Sequence, residues 1–273
     1  RYLQEIGEPA ELAEDGYAGT YIIDLAKDLV AAHGSSLRDN NERFFSDYAK
    51  KELLARIETT LHEYGIHFDV WFSEKSLHDD GSVARALDAL VERGFAYEQD
   101  GALWFRATAF GDDKDRVLRK TDGELTYIAA DIAYHKNKFD RGFDRLIIIL
   151  GQDHHGYVKR LKATMDALGY PADHLDVILY QLVTLTCNNE EIRMSKRSGS
   201  FTQLGEVIEE VGRDVARFFY LNRKADAHLS FDLAVALKKT EENPTYYIQY
   251  AYVRCGSILA KAAENEALHA YAA

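Results

Sequence analysis

Arg145-Leu-Ile-Ile-Ile-Leu-Gly-Gln-Asp-His-His-Gly-Tyr157 is the stretch that decides the fold. Its first half is a short, unbroken run of Leu and Ile, the pattern of a fully buried parallel strand. The second half is a polar turn containing glycine, which passes into a helical pattern from Val158 to Leu168, closed by Gly169. Strand, polar turn and helix in that order make an α/β unit, and ligands of open α/β sheets bind at the carboxyl ends of such strands. The turn at this strand end is therefore suited to binding a ribose or a phosphate. The two histidines do not suggest a metal, because His154 and His155 are adjacent and point apart, and HxH and HxxxH spacings are absent.

Downstream, Pro171-Ala-Asp-His174 reads as a linker, and Val177 to Leu185 reads as a second strand. It leads to Glu191-Ile-Arg-Met-Ser-Lys-Arg-Ser-Gly-Ser200, with Arg193, Lys196 and Arg197 inside five residues. A cationic loop at a strand end suits a polyphosphate, since Lys and Arg offset charge that grows in a transition state. The plainer reading is a solvated basic turn. Helices are expected from Thr202 to Val211, with Thr202 or a neighbour as N-cap, and from Asp214 to Leu221, Leu233 to Lys239 and Pro244 to Ala263. Asn243-Pro244 is a helix-start signal. The change from α/β to all-helical pattern near residue 240 suggests a domain boundary.

Upstream, helices are expected over Tyr21–Val30 and, amphipathic and stopped by Gly65, over Phe45–Tyr64. The aromatic and β-branched run Ile66–Ser73 predicts a strand with Glu74 at its end. Ser82–Arg93 predicts a helix, and Asp100-Gly101 a type I′ hairpin within Tyr97–Arg106. After a second turn signal at Asp122-Gly123 comes Leu125-Thr-Tyr-Ile-Ala-Ala-Asp-Ile-Ala-Tyr-His135. Tyr127 and Asp131 are four apart and share a face if this is a helix. Phenol and carboxylate together suit a cationic ligand group; an exposed Asp beside a half-buried Tyr is the bland alternative.

The 273 residues carry 47% hydrophobic and 12% aromatic side chains, which excludes a disordered chain. With 45 acidic against 33 basic side chains the formal net charge is -12, so broad non-specific nucleic-acid binding is disfavoured and any such partner needs a local basic patch. Cys187 and Cys255 have neither CxxC spacing nor a disulfide framework, as in a reducing cytosol. No apolar run of transmembrane length is present, and the start lacks both signal-peptide character and an initiator Met, as expected of a piece from within a longer protein.

Arg193-Met-Ser-Lys-Arg197 resembles the KMSKS signature of class I aminoacyl-tRNA synthetases, with Arg193 and Lys196 in its two lysine positions. Together with Asp15-Gly-Tyr-Ala-Gly-Thr-Tyr-Ile22, Leu125–His135, Gly151–Tyr157, His228-Leu-Ser-Phe-Asp232 and Glu242-Asn-Pro-Thr-Tyr-Tyr-Ile-Gln-Tyr-Ala251, in that family's order, it makes the chain similar to the arginyl-tRNA synthetases. The resemblance implies an α/β fold: the second half of a Rossmann-type class I synthetase catalytic domain with helical and small α+β insertions, then the start of an all-helical domain. It suggests a helical part at 1–65, a catalytic half at 66–185 with a helix-hairpin insertion near 76–108, a KMSKS-loop and stem-contact region at 186–240, and the first anticodon-domain helix at 241–273.

What the resemblance implies for function is a two-step arginine–tRNA ligation: ATP-dependent formation of arginyl-adenylate, then transfer to tRNA(Arg). Lys196 and Arg193 are the implied catalytic residues, holding the ATP phosphates. Gly151, Asp153, His155, Gln181, Val183, Met194, Ser195 and Lys196 would form the ATP site, and Glu74, Tyr127, Asp131 and Gln152 the arginine site. A guanidinium offers five donors in one plane, so carboxylates at Glu74 and Asp131 are apt partners. Implied ligands are L-arginine, ATP with Mg2+ and tRNA(Arg), with no structural metal, no membrane and a cytoplasmic location. Arg217, Arg223, Lys224, Lys238 and Lys239 are the expected basic patch for the tRNA. The HIGH signature of the class is missing, so the chain is expected to run from after HIGH to the first anticodon-domain helix and not to form adenylate by itself. A nucleotide-binding module on the same fold and another class I synthetase, cysteinyl or methionyl, are the competing readings; the twin acids Glu74 and Asp131 speak against the latter.

Overall fold

A computed structural model describes residues 1–11, 19–192 and 202–264. In chain order these form α1 (Tyr2–Glu5), α2 (Tyr21–His33), α3 (Glu42–Glu63), α4 (Glu74–Asp79), α5 (Ser82–Glu92), β1 (Ala96–Gln99), β2 (Ala102–Phe105), β3 (Arg116–Arg119), α6 (Tyr127–Asp140), β4 (Leu146–Gly151), α7 (His155–Leu168), β5 (Leu175–Tyr180), β6 (Val183–Cys187), β7 (Glu190–Glu191), α8 (Leu204–Val211), α9 (Arg213–Leu221), β8 (Leu229–Asp232), α10 (Leu233–Ala236) and α11 (Pro244–Ala263). The chain divides into two compact units. One comprises Arg1–His67, Val183–Arg223 and Leu229–Ala273, the other Phe68–Leu182 and Lys224–His228. The basic loop Arg193–Ser200 and the segment Asp15–Ala18 lie outside the described residues.

In the second unit β4 and β5 pair in parallel from Leu146 opposite Leu175 to Gly151 opposite Tyr180, so both carboxyl ends finish side by side. The connection between them is α7, as a parallel pair requires. Helices α5, α6 and α7 close over a core that includes Leu90, Phe105, Leu118, Ile132, Leu161, Met165 and Leu175. The strand β4 is not buried on both faces as expected: Leu146 is buried, while Ile147 and Ile149 are 61% and 65% exposed. Helices cover one face of the pair, and nothing among the described residues covers these two side chains. Arg145 and Asp176 bridge the start of the two strands, Nε to Oδ2 at 2.6 Å.

Strands β1, β2 and β3 form an antiparallel sheet of their own. Asp100 (φ 52°) and Gly101 (φ 76°) both take the left-handed conformation of the expected I′ turn. A carboxylate clasp fastens this part to α7. Asp112 accepts from Arg116 Nε and Nη2 at 2.8 and 2.9 Å and from Arg160 Nε at 3.2 Å. The expected strand over Ile66–Ser73 is absent. Phe68, Val70 and Trp71 are exposed and the segment joins no ladder among the described residues, so β-prone side chains alone do not make it a strand. Glu74 accordingly opens a helix, α4, instead of ending a strand.

The first unit holds the sheet β7-β6-β8, in which β6 runs parallel to β8 and antiparallel to β7. One continuous strand over 177–185 is not formed. The Gln181 N–H leaves the ladder and donates to the Ala225 carbonyl at 2.9 Å, and β6 starts two residues later in another sheet. The core here gathers Tyr64, Leu185, Val207, Ala216 and Phe231, with a smaller cluster around Tyr2, Ala26 and Leu29. The helix α3 is in place, but it buries no residue and exposes Phe44, Leu54 and Ile57, so it is not the amphipathic helix expected. Gln203 caps α8 in a capping box with Glu206, and α10 stops at Ala236, short of Lys239.

Candidate active site

Thr126 fixes where α6 begins. Its hydroxyl donates to the Val117 and Leu118 carbonyls at 2.9 and 3.1 Å, and its N–H also reaches Leu118, tying the helix start to β3. Tyr127 is thus the first helical residue, 93% exposed, and Asp131 stands one turn later on the same side, half-buried. The Asp131 Oδ2 accepts a hydrogen bond from the Tyr157 hydroxyl at 2.5 Å. Tyr157 is the third residue of α7, directly after the turn that ends β4, so this bond ties the acidic position of α6 to the strand-end turn. Burial first, and the Asp131 carboxylate second, push the Tyr157 phenol well above its ordinary ionisation range, so it remains a donor.

The surroundings of Asp131 are a mix of cation and buried imidazole. Lys138 lies 3.9 Å from the centre of the Tyr134 ring, and burial lowers its ammonium pKa while Asp131 counters that shift. His135 donates from Nδ1 to the Asp131 carbonyl oxygen at 2.7 Å, and its buried Nε2 has no partner among the described residues. Burial pushes this imidazole down to about 4. Glu74 is the first residue of α4, which packs against α6 through the buried Leu77. The carboxylate itself is exposed, with His78 Nε2 at 3.9 Å. Among the described residues no hydrogen bond or ion pair joins Glu74, Tyr127 or Gln152 to Asp131; the four lie on α4, on α6 and in the turn after β4, all in one unit.

The turn after β4 is a single 3-10 turn, Gln152–His154. Asp153 folds back over the strand end so closely that a Cβ on Gly151 would stand 2.5 Å from its Oδ1. A side chain at 151 would make that exposed carboxylate turn aside, at small cost because no hydrogen bond among the described residues holds it there. Gln152, Asp153, His154 and His155 are all exposed, and Asp153 pairs with the neighbouring His154 at 3.8 Å. Gln181 follows the adjacent end of β5, with its own N–H already given to Ala225. Val183 belongs to the other unit, where it opens β6 and pairs with Leu229 of β8. Gly151, Asp153 and His155 are thus brought to one strand end. Arg193, Met194, Ser195 and Lys196 lie outside the described residues. Among the described residues no group of three or more His, Cys, Asp or Glu is arranged to hold a metal ion.

Tyr157 is the residue that reading the sequence did not single out. It ends the strand-turn-helix stretch, but it lies 26 residues from Asp131 and no periodicity relates the two.

Residues 24–232 match the family model described as tRNA synthetases class I (R), catalytic domain. The chain is 50% identical over 269 residues to the arginine–tRNA ligase of Desulforamulus reducens, covering 97% of this chain and 48% of the relative. It is 51% identical over 269 residues to the arginine–tRNA ligase of Desulforudis audaxviator, with the same coverage of each. The chain therefore spans about half the length of the curated relatives it matches. Among solved structures, one described as an arginyl-tRNA synthetase from Campylobacter jejuni superposes with a TM-score of 0.87 at 38% identity, over 95% of this chain and 57% of that one. The Thermus thermophilus arginyl-tRNA synthetase shares the fold, with a TM-score of 0.64 at 18% identity over 96% and 55%. An α/β chain that matches this model over most of its length, with relatives at about half identity, belongs to the class I tRNA synthetase (R) family.

Proposed function

We propose that this chain is the arginine-selecting part of an arginine–tRNA ligase, which activates L-arginine with ATP and transfers it to tRNA(Arg). In the first step the arginine carboxylate attacks the α-phosphate of ATP, giving arginyl-adenylate and pyrophosphate. In the second, the terminal ribose of the tRNA takes the arginyl group and releases AMP. Both steps need reactants held in line and charge offset, with no covalent protein nucleophile.

In this reading Asp131 and Glu74 meet the cationic groups of arginine, Tyr127 and Gln152 border them, and Gly151, Asp153 and His155 receive the ATP ribose at the end of β4. Met194 and Ser195 shape the basic loop, and the backbone at Gln181 and Val183 faces the adenine. Lys196 and Arg193 hold the phosphates; Mg2+ arrives with ATP. Site, substrates and a cytoplasmic location are all part of the proposal. No helix among the described residues is long and apolar enough to cross a membrane.

The observation that carries the reading is the 2.5 Å bond from Tyr157 to Asp131, which keeps a carboxylate beside the turn that ends β4. A neutral amino acid would leave that charge unpaired, and lysine cannot reproduce the planar fork of a guanidinium. The test is ATP–pyrophosphate exchange by a family-length protein carrying this chain. Exchange is expected with arginine and not with lysine or cysteine, and Asp131→Asn is expected to raise the KM for arginine about a hundredfold while leaving the KM for ATP in place. Exchange driven equally by lysine would sink the proposal.

A further inference from the structure

We infer that Tyr157 is a positioning residue for amino-acid recognition: its hydroxyl fixes one oxygen of the Asp131 carboxylate so that the other is presented to the substrate guanidinium. The inference rests on the assignment of Asp131 to arginine proposed above and extends it to a second helix.

Asp131 has one side-chain partner among the described residues. Oδ2 accepts from Tyr157, and no hydrogen bond to Oδ1 is formed among the described residues. A carboxylate has about four acceptor positions, so a neutral phenol on one oxygen leaves the other open to a cation. An aspartate on a helix surface otherwise turns about χ1 and χ2, and an acceptor that turns is a poor match for a rigid fork of donors. The phenol is itself well held. Its ring is half-buried against the core between α5, α6 and α7, and its backbone lies in the first turn of α7, which begins where the β4 turn ends. His135 Nδ1 holds only the Asp131 backbone carbonyl, at 2.7 Å, which leaves the carboxylate's orientation to Tyr157. Tyr157 thereby ties the carboxylate for the amino acid to the strand end proposed for the nucleotide.

Tyr157→Phe keeps the ring and removes only the hydroxyl. In arginine-dependent ATP–pyrophosphate exchange by a family-length protein carrying this chain, it is expected to raise the KM for arginine about tenfold, the scale of one hydrogen bond to a charged group. The KM for ATP and kcat are expected to stay within about twofold. Because the hydroxyl acts through one carboxylate, adding Tyr157→Phe to Asp131→Asn is expected to cost no more kcat/KM for arginine than Asp131→Asn alone. An unchanged KM for arginine in Tyr157→Phe, beside a large loss in Asp131→Asn, overturns the inference and leaves the arginine site standing. A parallel rise in both KM values overturns it too, since a merely structural tyrosine would act that way. If Asp131→Asn itself leaves the KM for arginine unchanged, the arginine assignment falls and this inference falls with it.

Discussion

One helical turn beyond Asp131, His135 is buried as a neutral imidazole, pushed down to about 4 from its ordinary 6.5 mainly by burial and secondarily by Lys138. Between those two values the unfolded chain binds a proton that the folded chain refuses. Stability therefore rises with pH through that window and is lost as the pH falls from about 6.5 towards 4, by a total on the order of 3 kcal/mol. His135→Leu is expected to flatten the acid side of the profile in denaturant titrations between pH 4.5 and 7.5, even though losing the bond to the Asp131 carbonyl lowers stability at neutral pH. An unaltered slope would assign the acid sensitivity to other groups. At this scale the sequence is uneven. The four-residue spacing of Tyr127 and Asp131 already puts phenol and carboxylate on one face, because a helix repeats every 3.6 residues. That Tyr157 meets Asp131 depends on how two helices pack, which no local pattern records.

Where α10 hands over to α11, one side chain does several jobs. Asn243 Oδ1 accepts from the Thr245 and Tyr246 N–H groups at 3.1 and 3.3 Å, and its Nδ2 donates to the Ala236 and Lys238 carbonyls at 2.7 and 3.0 Å. It is 3% exposed, so water cannot replace those partners. Asn243→Ala is expected to cost about 2–3 kcal/mol, more than an exposed cap, because it strips both ends of the junction. The checks are a lower denaturant midpoint at unchanged slope and faster amide exchange in the first turn of α11. Elements governed by local chemistry were legible: the Asn-Pro start, the Asp-Gly turn and the glycine stops after α5 and α7 all stand where the sequence puts them. Elements governed by distant partners were not. Ile66–Ser73 is rich in aromatic and β-branched side chains but joins no ladder among the described residues, and the apolar run through Leu185 breaks at Gln181, whose N–H donates to Ala225.

Across the whole molecule, if tRNA is the partner as proposed, an acidic chain has to rely on a few exposed cations. Of those suggested by the sequence, Arg217 is already committed: its guanidinium donates to the Tyr64 and Gly65 carbonyls at 2.9 and 3.3 Å. Lys238 pairs with Glu242 at 2.5 Å. Arg223 and Lys239 are exposed and make no ion pair among the described residues. In a family-length protein, Arg223→Glu with Lys239→Glu is expected to weaken tRNA binding and to lower the slope of log affinity against log salt by about one per lost phosphate contact, read from binding curves at several salt concentrations. Arg217→Glu is expected instead to lower the melting temperature. An unchanged salt slope in the double variant would remove these two residues from the tRNA surface. Family membership was legible at this scale because the motifs stand in order along most of the chain, whereas β4 shows what hydrophobicity leaves undecided. Leu146 to Leu150 is apolar at every position, so sliding the strand by one residue would swap Ile147 and Ile149 for Leu146, Ile148 and Leu150 at almost no hydrophobic cost. A polar marker between the two strands favours the observed alignment: the Arg145–Asp176 bridge at the start. An ion pair on the surface, small in energy, thus favours the alignment that brings Gly151 opposite Tyr180 at the turn after β4.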